Sequence, residues 1–573
     1  MNSRTVYHIL SAILYATSAA VLSYSDQMNP ELNRQTSVAN GRNGGMSSKG
    51  AHWSHPACSN RTSPAALQKI YTERLGSLIG SVRNPLAPVG LTGTDLGSSF
   101  ERDGKLVFLF GDAWATNPLY QNGDPVAWTD PRINPFVSGV MPRLRWFTES
   151  SGRFLPVRIP GVDLGAMNVP VEGVPLGSET FIFAATGAPP WGTVTQSALA
   201  HTEGLTFDSL VTDYLTPSDK FVNVSIVKEG RTLWIYGSGP YRASAVYLAR
   251  VASAQVADRN AWTYFYGYDE KGTPIFGSSD SLAVPVVSVS CVGELSVRLH
   301  KGLGYLMAYN CDNPRGINLR FAKRADGPWS EATVIFDPGP DRDRGYGFFM
   351  HQMENWVGYD DGLSEPGREN EWGGEYGPYM IPQWTTSDAW GVFSIVYTLS
   401  SWNPYKVHLV RTILALPGVS ALPPPAKGTH LSKAKLVNGD FATGDLSGWQ
   451  TDPSGDSFTV QADPVWKLTT YVPSAGGPAG KGKIWQDFRV DAKTHELRFA
   501  VSAGSSTDAT VSVKLVRLRT GDVVRASRGP GWSLRQVAWR LDDLHGETVR
   551  LLIEDRSPTS YITTTGFTFV QDQ

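Results

Sequence analysis

At 573 residues the chain is long enough for two to four domains. Its 51 basic and 53 acidic residues nearly cancel and form no basic stripe, which excludes a nucleic-acid binder. With 58 Gly, 38 Pro and only 18% charged residues, the composition favours short strands and tight turns over long amphipathic helices.

Residues 1–25 read as a secretory signal peptide: Arg4 precedes an apolar run from Ile9 to Leu22, with small residues at Ala19 and Ala20. That run is short for a bilayer span, so the expectation is a secreted protein with no stable membrane association once the signal is removed. A retained signal anchor is the other reading. Residues 26–60, rich in Ser, Asn and Gly, read as a disordered spacer. The three cysteines, Cys58, Cys291 and Cys311, allow at most one intramolecular disulfide, and no Cys/His metal spacing is present.

From 61 to 416 a unit recurs: a short strand, a tight turn, then a strongly apolar strand. It runs through TDLGSSFE/LVFLFGDAW, VPVEGVPL/ETFIFAAT, FVNVSIV/TLWIYGSG, CVGELSVRL/LGYLMAYN and GPYMIPQW/WGVFSIVYTLS. Asp103-Gly104 is a strong two-residue hairpin signal. Five such hairpins predict an all-β, five-bladed β-propeller; an array of β-sandwiches is the structural alternative. In a propeller the first strand of each blade lines the central channel. Asp95, Glu172, Asn223, Glu294 and Tyr379 should therefore converge there.

Residues 417–435, with three consecutive prolines, read as a stiff linker. Residues 436–573 open on LVNGDFATGDLSGWQ and continue in alternating strands, which predicts a second domain, a jelly-roll β-sandwich.

GTDLGSSFERDGKLVFLFGDAW, followed in order by SGPYRASAVYLARV, CVGELSVRL, DGPWSEATVIF, EYGPYMIPQW and YTLSSWNPYKVHLVRT, resembles the domain of unknown function 4185. That domain includes the endo-D-arabinanases of glycoside hydrolase family 183. The resemblance runs from about Thr92 to Ile413. It implies a five-bladed propeller that cleaves internal α-D-arabinofuranosyl linkages, as in mycobacterial arabinogalactan and lipoarabinomannan. NGDFATGDLSGW and HGETVRLLIEDRS resemble galactose-binding-like, carbohydrate-binding modules.

Glycoside hydrolysis needs two carboxyl groups flanking the bond. Asp95, with Leu-Gly after it, is the first candidate, expected ionised as base or nucleophile. Counting back from the Asp103-Gly104 turn places Asp112 opposite Asp95, close enough to tune it. Glu294, a lone glutamate in an apolar segment, is carried over as the acid by analogy with related propeller glycosidases. Its structural reading is an ion pair with Arg298 or Arg320. Glu172, Asn223, Trp114, Trp191, Tyr241, Tyr379 and Trp402 are candidates for substrate binding: polar groups for hydroxyls, aromatic faces for sugar rings. Cys291 and Cys311 flank the fourth hairpin and are candidates for a disulfide. No cofactor or metal is expected, the partner is a polysaccharide (D-arabinan), and the chain is expected to be a monomer. The competing functions are a non-catalytic sugar-binding propeller and a propeller glycosidase acting on another polysaccharide. A lyase acting on a uronate is disfavoured by the acidic channel.

Overall fold

The computed structural model describes residues 62–572, except 139, 190–191, 301, 340–342, 344, 353–359, 388–391, 418–428, 453–457, 463–464, 473–476, 479–480, 504–510, 529–533 and 558–559. The expected signal peptide, the spacer and Trp191 lie outside the described residues. None of the described helices is long and apolar enough to cross a membrane.

The chain is all-β, built from antiparallel pairings. The described residues between 68 and 415 form five sheets. The first holds Leu91–Arg102, Lys105–Ala115, Val126–Thr129 and Arg145–Trp146. The second runs from Val169–Leu176 to Val211–Pro217, the third from Asn223–Glu229 to Pro274–Gly277, and the fourth from Leu295–His300 to Thr333–Phe336. The fifth combines Glu375–Tyr376, Val392–Ser401 and Lys406–Ala415 with the N-terminal strand Gln68–Ser77. That last pairing, Gln68↔Ala415 through Ser77↔His408, ties the start of this region to its end.

Alternation along the strands explains the packing. Leu106, Phe108 and Phe110 point to one face of the first sheet and share a core with Val396, Val407 and Leu409 of the fifth. Val107 and Leu109 point to the other face and pack on Ile182 and Ala184 of the second. The same sharing joins the second sheet to the third, the third to the fourth and the fourth to the fifth. Five sheets thus stand face to face in a closed ring, each buried on both sides. This is why their strands read as near-continuous apolar runs.

The Asp103-Gly104 turn forms as the sequence predicts: both residues have positive φ, 51° and 68°, and Arg102 pairs with Lys105. The fifth sheet departs from expectation. Its first strand is only Glu375–Tyr376, and Tyr379 lies beyond it, in the segment leading to the Met380–Tyr397 bridge. Cys291 and Cys311 are joined by a disulfide with Cα atoms 5.2 Å apart.

After the ring, a six-stranded and a five-stranded sheet share one core that includes Leu468, Ile484, Phe499, Leu515, Leu551 and Phe569. Thr429–Ser432, inside the expected linker, is a strand of this region and pairs with the C-terminal strand Ile562–Asp572. Residues 418–428 of that linker lie outside the described ones.

Candidate active site

A cavity of about 480 Å³ opens where the first strands of the sheets begin. Asp95, Asp112, Glu294, Asn223, Tyr241 and Tyr379, all expected from sequence, line it, together with Tyr376, Tyr405, Arg242 and Trp372.

Asp95 sits beside a break in the strand. Leu96 (φ 61°) and Gly97 (φ 101°) take left-handed conformations, and pairing skips a residue between Leu96 and Ser98. The extra residue shifts the register, so Asp95 faces Gly111 and not Asp112, correcting the count made from the turn. The substitute partner matters: a Cβ on Gly111 would lie 2.6 Å from Asp95 Oδ1. Only glycine there leaves room for the carboxyl. Tyr376 donates its phenol O–H to Asp95 Oδ2 at 2.8 Å, while Oδ1 is buried without a hydrogen-bond partner.

Asp112, one residue along, remains an electrostatic neighbour of Asp95 despite the slip. Its Oδ2 accepts from the Met167 N–H at 2.9 Å, and its Oδ1 is buried without a partner. Burial pushes Asp112 up to about 7. Burial and then the charge of Asp112 push Asp95 well above the usual carboxylate range, against the Tyr376 hydrogen bond. Both carboxyls are thus biased toward their protonated forms, and the charge of Asp112 raises Asp95 further, so the expectation of an ionised Asp95 is not what its surroundings favour. Behind them stands a third carboxyl that the sequence reading missed. Asp124 is fully buried with no hydrogen-bond partner for either carboxyl oxygen. Burial, followed by the charges of Asp112 and Asp95, holds it well above the carboxylate range. In the sequence it looks like an ordinary turn residue of NGDP, which is why pattern alone passes over it.

Glu294 lies just before its strand, which starts at Leu295. Its Oε2 accepts from the Tyr241 O–H and the Gly377 N–H, both at 3.4 Å. Burial raises its pKa, and the nearby Arg242 guanidinium opposes that rise. The expected partners are elsewhere: Arg320 bonds Tyr309 and Ser330, and Arg298 bonds Glu172.

Glu172 is not a substrate-binding residue in this geometry. It forms a two-pronged pair with Arg298 at 2.8 and 3.1 Å, accepts from Ser225 O–H and Ile226 N–H, and does not line the cavity. It is a buried tie between the second, third and fourth sheets. Asn223 lines the cavity and donates from Nδ2 to the Gly293 carbonyl at 3.5 Å. Tyr379 is buried, with a hydroxyl that has no partner.

Trp114 is on the strand Lys105–Ala115. It stacks on Tyr405 at 4.6 Å between ring centroids and meets Trp402 edge-on at 5.8 Å. The Arg368 guanidinium lies over both indoles, at 4.7 and 5.0 Å. These rings make one aromatic wall of the cavity. In the C-terminal sheets, His495, Asp542 and His545 bring one ligand atom each within 4.8 Å of one another, a grouping that no sequence spacing signals. Both ring nitrogens of His495 are already hydrogen-bonded, to Asp542 and Asp572.

A closed ring of antiparallel sheets with buried carboxyls at its mouth is the class these observations define. The family pattern described as a domain of unknown function (DUF4185) matches residues 80–411, more than half of the chain. The protein belongs to that family. No curated protein matches it. Among solved structures it is similar to the exo-β-1,3-galactanase from Phanerochaete chrysosporium with galactose, at 10% identity, TM-score 0.33, covering 83% of this chain and 95% of that one. It is also similar to the GH43_1 enzyme from Xanthomonas citri complexed with xylose, at 13% identity, TM-score 0.33, covering 61% and 90%. Likenesses this low fix neither substrate nor residues.

Proposed function

We propose that the protein is a secreted glycoside hydrolase whose five sheets are the blades of a β-propeller. The observation that carries this reading is the Asp95–Asp112 pair: two neighbouring carboxyls, both raised by burial, lining one cavity beside an aromatic wall. Hydrolysis of a glycosidic bond calls for one protonated and one ionised carboxyl at the same time. Asp95 protonates the leaving oxygen. Asp112, ionised and reachable from the cavity, activates water or attacks the sugar. Glu294, whose charge Arg242 favours, serves as an acceptor for sugar hydroxyls together with Asn223 and Tyr241. This assignment moves the acid from Glu294, the choice by analogy, to Asp95.

The family resemblance supports D-arabinan as the polymer, cleaved at internal α-D-arabinofuranosyl linkages. Trp114 and Trp402, held by Tyr405 and Arg368, form an apolar side of the cavity against which furanose rings pack. The C-terminal sheets are read as a β-sandwich that holds carbohydrate, and the whole as a monomer. The test is incubation of the purified protein with mycobacterial arabinogalactan and, separately, plant L-arabinan. Oligosaccharides released from the first and not the second support the reading. No release from either, with Asp95→Asn binding glycan as well as wild type, points to a lectin instead.

A further inference from the structure

A second cavity, about 490 Å³, lies at the Asp103-Gly104 turn, the end of the first hairpin away from Asp95. Seven residues of strand separate the two aspartates, on the order of 20 Å at strand rise. Five cations line this cavity, Arg83, Lys105, Arg132, Arg143 and Arg145, against two acids, Asp103 and Asp130. Both acids are engaged: Asp130 pairs with Arg132 at 2.7 Å, and Asp103 lies 3.5 Å from Arg102. Arg83, Lys105, Arg143 and Arg145 form no ion pair among the described residues. Lys105 and Arg145 lie over the Trp128 ring, at 5.3 and 5.0 Å, which orients them without neutralising them. Four uncompensated positive charges thus surround one hollow in a chain whose net charge is −2.

An anion seated among these cations relieves their mutual repulsion. Three guanidinium forks and an ammonium offer more charge and more donors than a single carboxylate uses. A phosphate group, with nearly two charges and several acceptor oxygens, matches them. Four cations around one hollow, with no continuing stripe, do not suit a nucleic-acid backbone.

We propose that this cavity is a phosphate-binding site, separate from the carboxyl cavity and independent of the hydrolase reading. Its ligand is either free phosphate or a phosphate group carried on a sugar. Isothermal titration at low ionic strength tests it, with inorganic phosphate, D-arabinose 5-phosphate and, at matched ionic strength, acetate as probes. The expected result is saturable binding of phosphate probes at one site, with acetate at least about tenfold weaker. Tighter binding of the sugar phosphate assigns the sugar-borne source; equal binding assigns free phosphate. The Lys105→Gln/Arg143→Gln variant should bind about tenfold more weakly or less, and Arg83→Gln alone should weaken binding too. Arg83 and Arg143 are exposed, so the fold should survive, and an unchanged melting temperature checks this. Absence of binding, equal binding of acetate, or undiminished affinity in both variants overturns the proposal.

Discussion

Two of the carboxyls proposed to carry the chemistry lie on the paired strands of one hairpin. Asp95 could be picked from the sequence because it opens the first inner strand with Leu-Gly after it, and Asp112 because it ends the strand paired to it through the Asp103-Gly104 turn. Their protonation could not, because it depends on how much water the folded cavity excludes. The roles separate by substrate chemistry. Asp95→Asn should cut turnover of a natural glycan by roughly 10²–10⁴-fold and spare a substrate with an activated leaving group, which needs no protonation. Asp112→Asn should abolish turnover of both; the opposite pattern in steady-state kinetics would assign the acid to Asp112. Stability offers a second readout. Asp112 titrates near 7 in the fold and near 3.8 when unfolded. The folded protein therefore holds that proton more tightly, and the associated stability is complete below about pH 3.8 and lost as pH rises through 7. The loss is up to about 4 kcal/mol. Asp112→Asn, neutral at every pH, should melt higher than wild type at pH 8 and equally at pH 4. Thermal melts across that range check the sign.

A strand break governs the first hairpin. The left-handed Leu96 and Gly97 turn Asp95 onto Gly111, and Leu96 N–H is held by Ser400 Oγ at 2.8 Å. Alternation predicted the strands, and the Asp103-Gly104 turn predicted their pairing near the turn. Neither revealed the slipped residue, since a bulge is a response to packing against the fifth sheet. Gly111→Ala tests the close approach. The added methyl would crowd Asp95 Oδ1 at 2.6 Å, Leu96 Cδ1 at 2.8 Å and Val169 Cγ1 at 3.0 Å. The expected outcome is a folded protein about 1–3 kcal/mol less stable, with kcat reduced at least about tenfold. Denaturant melts and steady-state kinetics on the same preparation separate the two effects.

At the scale of the whole molecule, the ring and the C-terminal sheets have separate cores. Every member of the C-terminal core lies between Leu436 and Phe569. None of the cores that join the five sheets includes a residue beyond Leu416. A chain ending at Ala421 should therefore fold and keep activity on soluble oligosaccharides; under the proposed carbohydrate-binding role of the C-terminal sheets it should lose activity on insoluble cell-wall glycan through lost avidity. Circular dichroism and reducing-sugar assays on both substrates check this; an insoluble truncated protein would show that the two regions depend on each other. Removing Gln68–Ser77 should have the opposite outcome. That strand completes the fifth sheet, and without it the ring has an unpaired edge.

Some features depend only on local order along the chain. The all-β character, the five repeats, the Asp103-Gly104 turn and the family resemblance were legible because turn residues and period-two apolar runs act over a few residues. Where each carboxyl ends up is a long-range outcome. Glu172 looked like a channel residue until Arg298, 126 positions away, claimed it. Asp124 looked like a turn residue until the ring closed over it. Tyr376 could not be preferred to Tyr379 without knowing that the fifth sheet starts with a two-residue strand. Burial and charge partners belong to the closed ring, and a residue's pKa, and with it its chemical role, follows from them.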